Sequence, residues 1–163
     1  MNKAVIEKAV IEILLVEDNE NDIELTLHAL RAENLGNQIH VARDGEEALE
    51  FLAKSESDLA GGTGVLPKLI LLDLKLPKVD GLQVLRQVKS NPATRIIPVV
   101  VLTSSKEDED MVSSYRLGVN SYLQKPVNFE QFRKMVKQLG LYWLLVNQLP
   151  SPSGLQTEKI EVA

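Results

Sequence analysis

The chain has 163 residues, of which 44% are hydrophobic and 25% charged, with a formal net charge of -5. That length suits one domain with a sizeable core, and an acidic balance without a basic stripe argues against nucleic-acid binding. There is no cysteine, which excludes disulfides, thiol catalysis and cysteine-ligated zinc. His28 and His40 fall on separate elements, which disfavours a hydrolytic triad or a histidine metal site. Glu7 and Glu12 interrupt the N-terminal apolar residues and no small-residue cleavage site follows, so a secretory signal is not expected. No apolar run approaches the roughly 20 residues that span a bilayer. The expectation is a cytoplasmic protein without a membrane segment.

In chain order, residues 1–10 read as an N-terminal extension. Ile11 to Val16 is a compact apolar strand ending in Glu17 and Asp18, and a helix follows with Ile23, Leu27 and Leu30 on one face and Gly36 beyond its end. Gln38 to Ala42 is a second strand. Asp44 with Glu47 three residues on is a helix-opening pair, ahead of Ala48, Leu49 and Leu52. Ser55 to Pro67 reads as the longest polar connection; Gly61, Gly62 and Gly64 within it lack the Gly-Lys-Ser/Thr lead into a helix that a phosphate loop needs.

After Lys68, Leu69 to Leu72 is an uninterrupted apolar run ending in Asp73, the pattern of a strand buried on both faces. Asp80 and Gly81 open a helix with Leu82, Leu85 and Val88, and Asn91-Pro92 closes it. Ile96 to Leu102 is a fourth strand, finishing in Thr103. The charge run Lys106 to Asp110 reads as a solvated helix start, Met111, Val112 and Tyr115 as that helix's apolar side, and Gly118 as its stop. Val119 to Gln124 is a fifth strand, followed by Lys125-Pro126. Asn128 with Gln131 starts a last helix whose apolar positions step by three or four to Val146, and the residues from 147 to 163 read as a flexible tail. Strand and helix alternate five times, which implies an α/β, doubly wound parallel sheet with helices on both faces.

In a parallel sheet the carboxyl ends of the strands share one edge, so Glu17, Asp18, Asp73, Thr103 and Lys125 converge. Three carboxylates together must take up protons or a cation. Oxygen-only ligands favour a hard ion, and a few carboxylates plus waters suit Mg²⁺ better than a full Ca²⁺ cage. Such a site leaves room for a phosphoryl group, with Lys125 balancing its charge, Thr103 donating a hydrogen bond and Asp73 as nucleophile. Each residue alone has an ordinary explanation as a helix cap or loop former. The joint pattern on four of five strands is far more specific.

These motifs resemble the receiver domain of two-component response regulators: Ile13-Leu14-Leu15-Val16-Glu17-Asp18-Asn19, Leu71-Leu72-Asp73-Leu74-Lys75-Leu76-Pro77 with Asp80-Gly81, Leu102-Thr103-Ser104, and Leu123-Gln124-Lys125-Pro126. The resemblance spans residues 11–146, nearly all of the expected domain. It implies a flavodoxin-like fold with strand order 2-1-3-4-5 and a signalling protein rather than an enzyme, Asp73 accepting phosphate from a sensor histidine kinase. It further implies Mg²⁺ held by Asp18, Asp73 and the backbone carbonyl of Lys75, with Glu17 helping directly or through water. Lys125 would pair with the phosphoryl group, the peptide before Pro126 would be cis, and Thr103 and Tyr122 would be the switch residues. Glu17 stands where many receivers have Asp, and Lys75 is a variable place expected to influence phosphate lifetime.

The long connection before Pro67, the segment from Lys89 to Pro98 and the ending Gly140 to Val146 are similar to stand-alone regulators paired with phytochrome-like kinases. Output is expected through changed association. Leu141 to Val146 is apolar on every side, which suits a homodimer contact, and Gly140 marks a bend or a close approach of chains. Two other function classes are an Asp-nucleophile phosphatase, which would need a second acid where Lys75 stands, and a phosphorylation-independent scaffold.

Overall fold

Five short segments pair into one parallel sheet, ordered second, first, third, fourth, fifth by chain position; the three central ones (Ile13–Val16, Leu69–Leu72 and Val99–Thr103) are apolar and buried throughout, and the two edge ones (Ile39–Ala42 and Ser121–Gln124) are partly exposed. The computed structural model describes residues 12–35 and 38–150. The N-terminal extension, Ile11, Gly36 and the tail from 151 lie outside the described residues. The elements are β1 (Ile13–Val16), α1 (Glu20–Arg31), β2 (Ile39–Ala42), α2 (Gly45–Ala60), β3 (Leu69–Leu72), α3 (Gly81–Ser90), β4 (Val99–Thr103), α4 (Asp108–Arg116), β5 (Ser121–Gln124) and α5 (Phe129–Gly140), with a π-helical turn at Leu141–Val146.

Side-chain alternation along the strands divides the core in two. Leu14, Val16, Ile70, Leu72, Val99 and Val101 face α2 and α3, where they meet Leu52, Val84, Leu85 and Val88. Ile13, Leu15, Leu69, Leu71, Val100 and Leu102 face α1 and α5, meeting Ile23, Leu30, Phe132 and Val136. The chain leaves β1 toward β2 on one side and returns to β3 on the other. The sheet therefore has its topological switch point between β1 and β3, where Val16 pairs with Leu72.

The helix starts follow the sequence. Asp44, Asp80 and Asn128 each cap their helix by accepting the backbone N–H three residues on, at 2.8, 3.0 and 3.1 Å. Glu47 completes the first of these by accepting the Arg43 N–H at 3.0 Å.

Four expectations are corrected. Helix α2 runs through Ser55 to Ala60, because Ser55 returns its hydroxyl to the Phe51 carbonyl and Lys54 faces Asp58 one turn on; the polar connection is correspondingly short. Strand β4 begins at Val99, not Ile96. Residues 91–97 form turns in which Thr94 bonds the Val88 carbonyl and Ile97 bonds Thr94. In α4, Met111, Val112 and Tyr115 are exposed and Ser114 is the buried residue, so that helix leans on the body through its small face. Gly140 is a close approach within the chain: a Cβ there would lie 2.6 Å from Leu30 Cδ2 and 2.9 Å from Leu35 Cδ1. Past it the last helix widens into the π turn, closed by Asn147 N–H on the Tyr142 carbonyl at 2.7 Å.

Candidate functional site at the switch point

The end of β3 is fixed by backbone before any side chain acts. Asp73 N–H donates to the Val16 carbonyl at 3.0 Å, placing Asp73 beside Glu17 at the end of β1. On its other side α3 begins so close that a Cβ on Gly81 would sit 2.3 Å from the Asp73 carbonyl oxygen. Asp73 is 6% exposed, so its charge needs partners.

It has two. Oδ1 accepts the Lys75 backbone N–H at 3.3 Å, and Oδ2 accepts Lys125 Nζ at 3.0 Å. Lys125 leaves the end of β5, and its backbone N–H on the Thr103 carbonyl at 2.7 Å ties it to β4. Its side chain is buried, and its ammonium also reaches Glu17 Oε1 and, at 2.8 Å, Asp22 Oδ2. An ammonium has three N–H donors, and here each has a carboxylate. Burial alone would disfavour the charged lysine, but hydrogen bonds to Asp22 and Glu17 and the nearby Asp73 charge hold its pKa above the usual range.

Sequence reading missed Asp22. It looks like an ordinary first-turn acid of α1, a helix start whose cap Asn19 accepts the Asp22 N–H at 3.0 Å. Its one signal is that it lies within a turn of the Glu17-Asp18 pair.

Glu17, Asp18 and Asp73 each bring a carboxylate oxygen to within 4.8 Å of one another. Glu17 is buried, and burial together with the Asp73 carboxylate pushes its pKa up to about 8. Its other oxygen accepts the backbone N–H of Asp18 at 3.1 Å and of Asn19 at 3.3 Å. Three acids that repel one another and share one lysine favour a cation, which lets all of them stay ionised. Their all-oxygen donor set fits a hard divalent one.

Thr103 is fully buried at the end of β4, and its Oγ1 accepts the Ser105 N–H at 3.2 Å. Ser105 in turn donates to Asp110 Oδ2 at 2.5 Å, and Lys75 Nζ stands 3.7 Å from the same oxygen. Tyr122 on β5 points its hydroxyl into this region, beside Ser105. That hydroxyl is buried without a hydrogen bond of ordinary geometry among the described residues. Burial and the Asp110 carboxylate push its pKa up. The peptide between Lys125 and Pro126 is trans, as are all peptides among the described residues, which departs from the cis form the resemblance implied. The trans form of an X–Pro bond is favoured by only about 0.5–1 kcal/mol, and Lys125 reaches Asp73 from it.

The expected residues are thus together: Glu17, Asp18, Asp73 and Lys125 in one cleft, with Thr103, Tyr122 and Lys75 around its rim toward α4. Chains similar to this one share the architecture. It is 45% identical over 141 residues to a probable methanogenesis regulatory protein, FilR2, of Methanothrix harundinacea, covering 86% of this chain and 88% of that one. The crystal structure of the phosphorylated cyanobacterial phytochrome response regulator RcpA superposes with a TM-score of 0.77 at 43% identity, covering 88% of this chain and all of that one. The Mn²⁺-bound form of response regulator Rcp1, a protein of Synechocystis, gives 0.76 at 41% identity over 85% of this chain and 98% of that one. The response regulator receiver domain model matches residues 13–137, the whole span from the first strand through most of the last helix, and the chain belongs to that family.

Proposed function

We propose that the chain is a single-domain response regulator whose Asp73 accepts a phosphoryl group from the phosphohistidine of a phytochrome-like sensor kinase. One observation carries this reading. Asp73 lies at the switch point with one oxygen on Lys125 and with Glu17 and Asp18 beside it. A carboxylate oxygen of Asp73 forms the new P–O bond while the P–N bond to the kinase histidine breaks. Lys125 balances the charge on the phosphoryl oxygens, and no strong general base is needed, because positioning and charge stabilisation suffice for phosphoryl transfer. Asp18, Asp73 and the Lys75 carbonyl, with Glu17 directly or through water, would hold Mg²⁺, which neutralises phosphoryl charge when bound. Thr103 and Tyr122 would carry the change outward. The protein is a signalling component working in the cytoplasm, without a membrane or nucleic-acid partner.

The phytochrome partner is supported by the likeness to RcpA, described as a phytochrome response regulator, and the metal by the Mn²⁺-bound Rcp1. Output through a homodimer is supported by the last turn of the chain: Leu144 is buried, whereas Tyr142, Leu145 and Val146 are exposed. Incubation with acetyl phosphate and Mg²⁺, or with a phytochrome-type kinase, should add a phosphoryl mass to the wild type and none to Asp73→Ala. No gain in the wild type would leave the scaffold reading in its place. A monomeric mass at micromolar concentration, with and without beryllofluoride, would remove the dimer.

A further inference from the structure

We infer that Asp22 is a positioning residue for Lys125: from the first turn of α1 it holds the ammonium in the cleft and competes with phosphoryl oxygens for its charge. This rests on the phosphoacceptor reading of Asp73. Of the three carboxylates on Lys125, Asp22 alone stands outside the group of acids that gather as a metal site. A cation in that group would draw on Glu17 and Asp73, while Asp22 remains committed to the lysine.

Its placement is built from both sides. Asn19 fixes its N–H, Thr26 donates its hydroxyl to its carbonyl at 2.7 Å, and its carboxylate meets Nζ at 2.8 Å across 103 residues of sequence. Because all three N–H donors of Lys125 are taken, a phosphoryl oxygen arriving on Asp73 has to claim one of them. Asp22 also adds a negative charge that opposes the incoming anion. It therefore sets how much of the lysine's charge the phosphoryl group can use.

The test is calorimetric titration of beryllofluoride with Mg²⁺ into the wild type, Asp22→Asn, Asp22→Glu and Glu24→Gln, with the Lys125 ammonium followed by ¹⁵N NMR. Glu24 is an exposed acid of the same helix, so its variant matches the change in net charge without the contact. Asp22→Asn should bind the mimic on the order of tenfold more tightly, and its Lys125 resonance should broaden as the ammonium exchanges with water. Asp22→Glu and Glu24→Gln should stay within about twofold of the wild type. Equal affinities in Asp22→Asn and Glu24→Gln, or weaker binding in Asp22→Asn, would overturn the inference. Should Asp22→Asn fail to fold, Asp22→Ser carries the same comparison. If the wild type binds no mimic, the phosphoacceptor reading falls, and the Lys125 resonance decides Asp22 by itself: unchanged in Asp22→Asn, it rules the contact out.

Discussion

Lys75 Nζ stands 3.7 Å from Asp110 Oδ2, so the loop that leaves Asp73 is joined to the first turn of α4. Lys75 is largely exposed at this contact, which makes it a weak contributor to stability but places a long side chain beside Asp73, the proposed phosphoacceptor. Lys75→Asn shortens that side chain and opens the approach to water. Autodephosphorylation should quicken by about threefold, under 1 kcal/mol of barrier, with the thermal midpoint little changed. Equal decay of phosphorylated wild type and variant would count against it.

Metal should stabilise the folded chain, because the three-acid group is assembled only there. Saturating Mg²⁺ at about 100 times its dissociation constant adds roughly 2.7 kcal/mol. Asp18→Asn should lose most of this increment at the same Mg²⁺ concentration while leaving the metal-free midpoint unchanged or raised. Differential scanning calorimetry with Mg²⁺ and with EDTA reads both. An Mg²⁺ increment in the variant equal to that in the wild type would speak against Asp18 as a ligand.

At the other end of the sheet Lys89 donates to the carbonyls of Arg95 and Ile97 and to Asn120 Oδ1, at 3.0, 2.8 and 2.9 Å. Asn120 Oδ1 also accepts the Val99 N–H at 2.8 Å, so one lysine holds the turn before β4 to the start of β5. Lys89→Met leaves these acceptors short of a donor and should cost about 2 kcal/mol in urea denaturation at pH 7. Burial pulls the Lys89 pKa down to about 8 from 10.5. Between those values the unfolded chain binds the proton and the folded chain does not, so this group makes stability rise with pH across that window. The wild type minus variant difference should grow from pH 8 to 10.5, and a flat difference would show that the amine titrates normally.

Two glycines separate hard contacts from soft ones. At Gly81 an added Cβ meets main chain, the Asp73 carbonyl oxygen at 2.3 Å and Leu74 Cα at 2.5 Å. Gly81→Ala should cost about 3 kcal/mol and disturb the amide resonance of Asp73. At Gly140 the nearest atoms are the methyl ends of Leu30 and Leu35, which can turn aside. Alanine also gains about 1 kcal/mol of helix propensity, so Gly140→Ala should fall within about 1 kcal/mol of the wild type. Similar losses at both places would contradict this ranking.

How much of this was legible in the sequence depends on how local each signal is. Caps at Asp44, Asp80 and Asn128 are readable because the interaction lies within three residues. The strand-end acids and Lys125 are readable because a parallel sheet gathers its carboxyl ends whatever the details of packing. Asp22 is hidden: its role exists only because α1 returns across the sheet and sets that side chain over a lysine from the far strand. Helix α4 misleads for a related reason. Met111, Val112 and Tyr115 are apolar yet exposed, and the helix's one buried residue is Ser114, whose hydroxyl goes to the Asp110 carbonyl at 2.7 Å. The turns at 91–97 also resisted reading, since the apolar pair before Pro98 looks like strand until Lys89 is seen gripping the Arg95 and Ile97 carbonyls.

The Tyr122 hydroxyl is buried beside Ser105, with no hydrogen bond of ordinary geometry among the described residues. Replacing such a group by an apolar one of the same shape is close to neutral. Tyr122→Phe makes that replacement. It should hold the inward packing at equal or greater thermal stability while weakening the coupling between phosphorylation and association, and a lowered midpoint would show that the hydroxyl has a partner after all.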